Sequence, residues 1–106
     1  MYGMTTHVTA PAEAYRVAHK AVMDVVAEQG GGEGLLLHVA YATEEGFDIV
    51  EVWESREQAE AFNTTVMPLA MQRAGMPTDA PEPRVEEFDP LGVLVPTAPT
   101  GEVAQR

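Results

Sequence analysis

The stretch Gly34–Ser55, GLLLHVAYATEEGFDIVEVWES, decides the fold, because it contains the longest apolar runs of the chain and its clearest turn. Leu35 to Ala42 and Phe47 to Trp53 are aliphatic, aromatic or β-branched at nearly every position, which is typical of strands. Between them, the polar run from Thr43 to Gly46 predicts a four-residue loop ending in glycine. The stretch therefore predicts a β-hairpin.

The first strand of this hairpin is apolar on both of its sides. A strand with one wet side alternates apolar and polar residues, but Leu35 to Ala40 is interrupted only by His38, so both faces should be covered. A chain of 106 residues forms one domain. A domain of this size buries only about two thirds of its unfolded surface. We therefore expect a homodimer in which a second copy covers the second face.

The composition excludes several classes of partner. The net charge is -11, from 17 acidic against 6 basic residues, so nucleic acid and anionic membranes should repel the chain. There is no cysteine, which excludes disulfides and thiolate chemistry. The first residues lack the basic and apolar segments of a secretory signal, and no apolar run approaches the roughly 20 residues of a membrane span. We expect a cytoplasmic protein.

A strand and a helix precede the hairpin. Met4 to Thr9 is rich in β-forming residues, and Pro11 is suited to the first turn of a helix. Apolar residues then recur at helical spacing until Gly30 ends the helix. The glycines that follow do not match a phosphate-binding loop, so we interpret them as a linker into the hairpin.

A second helix follows the hairpin. Ser55 and Gln58 form a capping box, which starts the helix. Pro68 lacks the N–H that would bond the carbonyl of Thr64, so we expect the helix to break between Asn63 and Met67. A further segment should then run to Ala74.

The last predicted strand is Arg84 to Phe88, with Val93 to Val95 as an extended arm after it. The order strand, helix, strand, strand, helix, strand is the βαββαβ arrangement of ferredoxin-like α+β folds. We expect the domain to span residues 1–95 and a C-terminal tail to span residues 96–106.

The tripeptide Trp53-Glu54-Ser55 ends a hairpin strand and opens a helix, with Gln58 and Ala59 in its first turns. In this respect the chain resembles the antibiotic biosynthesis monooxygenase-like (ABM-like) family of dimeric α+β barrels, and is similar to its small uncharacterised actinobacterial members. The resemblance covers roughly residues 4 to 95. It implies a ferredoxin-like fold that forms a dimeric α+β barrel.

The resemblance also implies an activity. Family members that oxygenate aromatic polyketides without metal or flavin carry a pocket tryptophan where Trp53 stands. They have an asparagine and a tyrosine where this chain has Ile49 and Ala59, and their helical arginine is similar in place to Arg73. The haem-degrading relatives have a tryptophan and a histidine where this chain has Phe62 and Gln72, so haem is not expected.

The strongest chemical candidate is a histidine paired with a carboxylate. Side chains alternate along a strand, so Glu51 shares a face with Phe47 and Trp53. With a four-residue loop, Ala42 pairs with Phe47, and the same register sets His38 opposite Glu51. A histidine oriented by a carboxylate is suited to act as a general base, so we predict His38 and Glu51 as catalytic residues. The alternatives are a purely structural His38–Glu51 pair under the second helix, or an ordinary contact at the barrel interface.

Other residues are candidates for the pocket. The predicted substrate-binding residues are Trp53, Phe47, Phe62, Asn63, Met67 and Arg73. His19 is interpreted as an exposed flank of the first helix. His7, one strand from the pocket, is a weaker second candidate, and a structural role is favoured for it. We considered a metal site built from His7, His38 and Glu51, but the chain has no metal-binding motif, so no metal and no cofactor are predicted.

Two functions remain open from the sequence. The first is a cofactor-independent monooxygenase that acts on a small aromatic or polycyclic metabolite, with His38 as base. The second is a non-catalytic homodimeric barrel that binds a small apolar or aromatic ligand or has a structural role. The two family residues replaced by Ile49 and Ala59 favour the second.

Overall fold

The computed structural model of the chain describes residues 1–76 and 82–94. Its elements, in chain order, are the strand β1 (Tyr2–Val8), the helix α1 (Ala12–Gln29), the strands β2 (Leu35–Ala42) and β3 (Phe47–Trp53), the helix α2 (Arg56–Ala74) and the strand β4 (Arg84–Phe88). The four strands form one antiparallel sheet in the order β2-β3-β1-β4. This is the predicted ferredoxin-like α+β fold. The predicted arm at Val93 to Val95 lies partly outside the described residues, and the predicted tail lies wholly outside them.

The hairpin has the predicted loop. The N–H of Thr43 donates to the carbonyl of Gly46, and the N–H of Gly46 donates to the Thr43 hydroxyl. Two hydrogen bonds therefore join the first and last residues of the four-residue loop. Ala42 pairs with Phe47, and His38 pairs with Glu51. A bulge between Leu35 and Leu37 shifts the register only at the far end of β2. The register on which the predicted site depends is therefore confirmed.

The helices cover one face of the sheet. The ring of Tyr15 in α1 meets Phe47 edge-on at 5.5 Å between centroids, and Phe62 in α2 meets Trp53 at 5.4 Å. The two helices also pack on each other through the buried residues Ala21, Val25, Val66 and Ala70. The core of the chain thus lies between the two helices and this helix-covered face.

The opposite face of the sheet, which we call the open face, has no helix over it. By the strand registers it carries Val39 and Tyr41 of β2, and Phe88 of β4. These three side chains are 44%, 49% and 41% exposed. The run of apolar residues in β2 is therefore covered on one side only within a single chain. Large side chains are therefore left uncovered at both edges of this face, on β2 and on β4.

The predicted break in α2 is wrong. The helix is continuous from Arg56 to Ala74, with Pro68 inside it. Pro68 is exposed, so the carbonyl of Thr64 that it leaves without an N–H can face water. Val66 and Ala70, on either side of the proline, are buried against α1 and hold both halves of the helix in place. Packing therefore outweighs the lost hydrogen bond.

The ends of α2 follow the sequence signals closely. The Ser55 hydroxyl accepts a hydrogen bond from the N–H of Gln58 and donates one to the side-chain oxygen of Gln58. Gly75 ends the helix in the left-handed conformation at φ 71°. No helix in the described part of the chain is both long and apolar enough to cross a membrane.

Candidate active site

The centre of the candidate site is the pair His38 and Glu51, on the helix-covered face of the hairpin. Nδ1 of His38 lies 2.8 Å from Oε2 of Glu51. The two side chains are 26% and 16% exposed, so the pair is largely shielded from water without being enclosed. Both residues come from neighbouring strands in direct register, which fixes their spacing through the backbone. The sequence prediction that they face each other is confirmed.

Trp53 is hydrogen-bonded to the other oxygen of the Glu51 carboxylate. Its indole Nε1–H donates a hydrogen bond to Oε1 of Glu51 at 3.2 Å. The indole ring is 1% exposed and packs against Phe62, so it cannot easily turn away. Glu51 is thus fixed by Trp53 on one oxygen and by His38 on the other. A partly buried carboxylate costs several kcal/mol when unpaired, and these two bonds offset that cost.

Tyr15 of α1 contacts the other nitrogen of the imidazole. Its hydroxyl lies 2.7 Å from Nε2 of His38. Since the carboxylate of Glu51 can only accept, Nδ1 of His38 carries the proton, and Nε2 of the neutral ring accepts from Tyr15. Burial of the ring, and then the negative charge of Glu51, raise the pKa of the Tyr15 hydroxyl above its ordinary value. Tyr15 therefore keeps its proton at neutral pH and donates it in this bond.

His19 lies beside Tyr15 and His38. The sequence interpretation instead places it on an exposed flank of the helix. It lies one helical turn after Tyr15, on the same side of α1. Its Nδ1 is 3.3 Å from the Tyr15 hydroxyl, and its ring lies 5.3 Å from Tyr15 and 5.8 Å from His38 between centroids. The exposed-flank interpretation is therefore wrong. The spacing of four residues between Tyr15 and His19 was the signal that could have identified it.

The predicted aromatic wall lies in the core of the fold. Trp53 and Phe47 are 1% and 7% exposed, while Phe62 and Met67 are half-buried on α2. Trp53 contacts both Phe62 and Glu51, and Phe47 contacts Tyr15. Trp53 thus bonds the His38–Glu51 pair directly, while Phe47 and Phe62 adjoin it through Tyr15 and Trp53.

The two polar substrate-binding candidates lie further out on α2. Asn63 is exposed. Arg73, near the end of α2, forms a bidentate pair with Glu28 near the end of α1, at 2.6 and 2.7 Å. This pair holds the pKa of Glu28 below its ordinary value. A substrate-binding role for Asn63 or Arg73 stays a prediction.

His7 lies on the open face, away from the His38–Glu51 pair. Nδ1 of His7 is 3.0 Å from Asp48 of β3, and Nε2 is 2.5 Å from Glu86 of β4. These bonds, that of Glu86 first, raise the pKa of His7 above its ordinary value. The β1–β3 register turns His7 to the other side of the sheet, so the pocket role, the weaker of the two considered for it, does not hold.

A shallow concavity at the hairpin end of the open face is lined by His7, Val8, Thr9, Thr43, Glu45, Asp48, Glu82 and Arg84. Among residues 1–76 and 82–94, no cluster of three or more histidine or carboxylate side chains has the arrangement to hold a metal ion. The metal site considered from the sequence would have combined His7 with His38 and Glu51. Its members lie on opposite faces of the sheet.

Solved structures match this chain over most of its length, although no family model and no curated protein matches its sequence. A protein from Caulobacter crescentus named as a candidate antibiotic biosynthesis monooxygenase is 20% identical, with 86% of this chain and 90% of that chain covered and a TM-score of 0.62. One of the same name from Nitrosomonas europaea is 14% identical, with 87% and 100% covered and a TM-score of 0.61.

A third structure carries a ligand. The monooxygenase from the gene ActVA-Orf6 of Streptomyces coelicolor, in complex with nanaomycin D, is 20% identical, with 91% of this chain and 90% of that chain covered and a TM-score of 0.54. At such low identities, the comparisons establish a shared fold. The chain has the ferredoxin-like fold of the antibiotic biosynthesis monooxygenases.

Proposed function

We propose that this protein is a cofactor-independent monooxygenase that oxygenates a small aromatic or polycyclic metabolite with O2. The observation that carries the proposal is the His38 imidazole, oriented through Nδ1 by Glu51 and turned with Nε2 toward the helices. The fold shared with monooxygenases supports the same conclusion. A fold hosts many functions, so the argument rests on the side chains of this chain.

The chemistry begins with removal of a proton from a hydroxyl group of the substrate. A neutral imidazole is suited to receive it near neutral pH, and Glu51 stabilises the imidazolium that forms. The resulting phenolate is electron-rich enough to reduce O2 and form a peroxide on a ring carbon. Loss of water from this peroxide leaves one oxygen atom on the carbon as a carbonyl, and the other departs in the water.

The surrounding residues would hold the substrate and limit the access of water. Trp53, Phe47, Phe62 and Met67 supply apolar surface beside the base, which suits a flat aromatic substrate. A dry site protects the peroxide from side reactions. Asn63 or Arg73 would stabilise the developing oxyanion, and Arg73 would have to release Glu28 to do so.

The proposal includes a homodimer formed through the open face. Val39, Tyr41 and Phe88 remain 44%, 49% and 41% exposed there, in a chain whose helices cover only the other face. Two copies stacked sheet to sheet would remove these side chains from water and would close each sheet into a barrel with its partner.

A second candidate function is a non-catalytic barrel that binds a small apolar ligand. The packing of Trp53 and Phe47 inside the core favours it, because side chains that fill a core leave less room beside His38. Binding in that case would depend on a shift of the half-buried Phe62 and Met67.

Turnover under air separates the two functions. The protein is incubated with a dihydroxynaphthalene or anthrone, aerobically and anaerobically, and quinone formation is followed by absorbance. We expect turnover only with O2, and its loss in His38→Ala and Glu51→Gln while both variants remain folded. Tyr41→Phe, on the open face, is the matched control and should retain activity. Binding of the aromatic compound without any O2-dependent product would support the non-catalytic function instead.

A further inference from the structure

Both nitrogens of His38 already have partners in the structure. Nδ1 bonds Glu51 at 2.8 Å, and Nε2 accepts the hydroxyl proton of Tyr15 at 2.7 Å. An imidazole has one acceptor nitrogen in its neutral form, and Tyr15 occupies it. A substrate hydroxyl therefore cannot reach the lone pair of His38 unless Tyr15 leaves or takes part.

We propose that Tyr15 is itself the catalytic residue that receives the proton of the substrate, with His38 as the base behind it. The inference rests on the proposed function and deepens it. The substrate hydroxyl gives its proton to the Tyr15 oxygen while the Tyr15 hydroxyl proton passes to Nε2 of His38. The products are a phenolate, a tyrosine that is again neutral and an imidazolium paired with Glu51. Two protons shift, the net transfer is one proton from substrate to His38, and no electrons are gained or lost.

The geometry around the Tyr15 oxygen agrees with this role. His19 Nδ1 lies 3.3 Å from it and can donate a hydrogen bond while the tyrosine donates to His38. That second donor stabilises negative charge on the oxygen as the proton passes. The edge of Phe47, 5.5 Å from the ring of Tyr15 between centroids, holds the phenol in place. Glu51, His38 and Tyr15 thus form a hydrogen-bonded chain of a carboxylate, an imidazole and a hydroxyl. Enzymes that activate a nucleophile through a histidine use the same arrangement.

Tyr15 does not act as a preformed tyrosinate in this scheme. The pKa of Tyr15 is raised by burial and by the charge of Glu51, so the phenol does not ionise on its own near neutral pH. It can pass a proton on only if His38 accepts one in the same event. The rings of Tyr15 and His38 are stacked, with an angle of 23° between their planes. The substrate class that we propose is therefore a planar hydroxyarene. Its ring would lie along these two rings while its hydroxyl group approaches Tyr15.

The test separates proton transfer from oxygenation. A naphthol whose phenolate absorbs at longer wavelength than its phenol is bound anaerobically, at a pH below its pKa in water. The wild-type protein should show the phenolate band. Tyr15→Phe keeps the ring stack and should lose the band, as should His38→Gln, while Tyr41→Phe should retain it. In air, Tyr15→Phe should lower turnover about 100-fold or more, the usual scale for a general base.

Three other results would overturn the inference. A phenolate band in Tyr15→Phe as strong as in the wild type, with none in His38→Gln, overturns the role of Tyr15 and leaves His38 as the direct base. Faster turnover in Tyr15→Phe overturns it as well, since the tyrosine would then only block Nε2. Naphthol bound by the wild type without any phenolate band overturns both this inference and the proposed base. Circular dichroism spectra confirm that each variant is folded.

Discussion

The indole nitrogen of Trp53 and the carboxylate of Glu51, two residues apart on β3, are joined by a hydrogen bond of 3.2 Å. Residues at this spacing point to the same side of a strand, so the bond runs along the strand and fixes the carboxylate that orients His38. The tryptophan that the resemblance identified as a pocket residue therefore has a second role. In the proposed mechanism it fixes the carboxylate behind the base.

The first prediction concerns this bond. Trp53→Phe removes the donor to Glu51 and leaves space in a site that is 1% exposed. We expect the free energy of unfolding to fall by about 2 to 4 kcal/mol, from the cavity and the lost bond together. Urea denaturation measures it. In a double-mutant cycle with Glu51→Leu, which removes the acceptor, the two losses should be non-additive, and additive losses would show that the bond contributes nothing.

The second prediction concerns assembly. Val39 on the open face and Val17 on the outer side of α1 are almost equally exposed, at 44% and 45%. Val39→Lys should weaken the homodimer about tenfold or more, because a charge would be buried between the sheets. Val17→Lys, the matched control, should leave it unchanged. Light scattering at micromolar concentration measures both, and a monomeric wild-type protein would refute the dimer.

The third prediction concerns pH. Glu86 first, and then Asp48, raise the pKa of His7 above its ordinary value of 6.5, while Arg84 opposes them and Tyr41 bonds the same Asp48. A group with a raised pKa in the folded state contributes stability that is fully present below its unfolded pKa. This contribution is lost as pH rises through the folded pKa.

The wild-type protein should therefore lose stability relative to His7→Gln as pH rises above 6.5, the ordinary pKa of histidine, and through the raised pKa of the folded state. Thermal melting at a series of pH values measures the difference between the two proteins. A constant difference over this range would mean that the ion pairs of His7 do not contribute. Tyr41→Phe serves as a control, since it removes a hydrogen bond on the same face without removing a group that titrates in this range.

The fourth prediction concerns the proline inside α2. Pro68→Ala restores an N–H to the carbonyl of Thr64 in a helix that is already continuous. We expect the free energy of unfolding to rise by about 2 kcal/mol, somewhat less than the full cost of proline because proline also restricts the unfolded chain. Pro11→Ala, at the N-cap of α1, should give no such gain. A lower stability of Pro68→Ala would show that the helix needs the proline.

The central hairpin could be predicted from sequence because its information is local. The loop length fixes which residues of β2 and β3 pair, and Ala42 opposite Phe47 then determines His38 opposite Glu51. The capping residues Ser55 and Gly75 similarly act through neighbours a few residues away. The hairpin register and the helix ends are therefore determined by interactions within one loop or one helical turn.

The remaining parts depend on contacts between distant segments. The face of His7 is set by the pairing of β1 with β3, which no loop length determines. The position of His19 depends on how α1 lies over β2, and the continuity of α2 depends on Val66 and Ala70 against α1. Local propensity was outweighed by tertiary packing at Pro68.

The edge strand β4 has a consequence for the motions of the molecule. All five of its residues are exposed. It is joined to β1 by its backbone, by the Phe88 ring over Gly3, and by side-chain bonds from His7 to Glu86 and from Tyr2 to Glu87. Opening such an edge exposes little apolar surface, so its amide protons should exchange with solvent sooner than those of β3. A second copy seated over Phe88 would slow this exchange. Hydrogen–deuterium exchange at β4 thus offers a direct measure of self-association that requires neither a substrate nor a label.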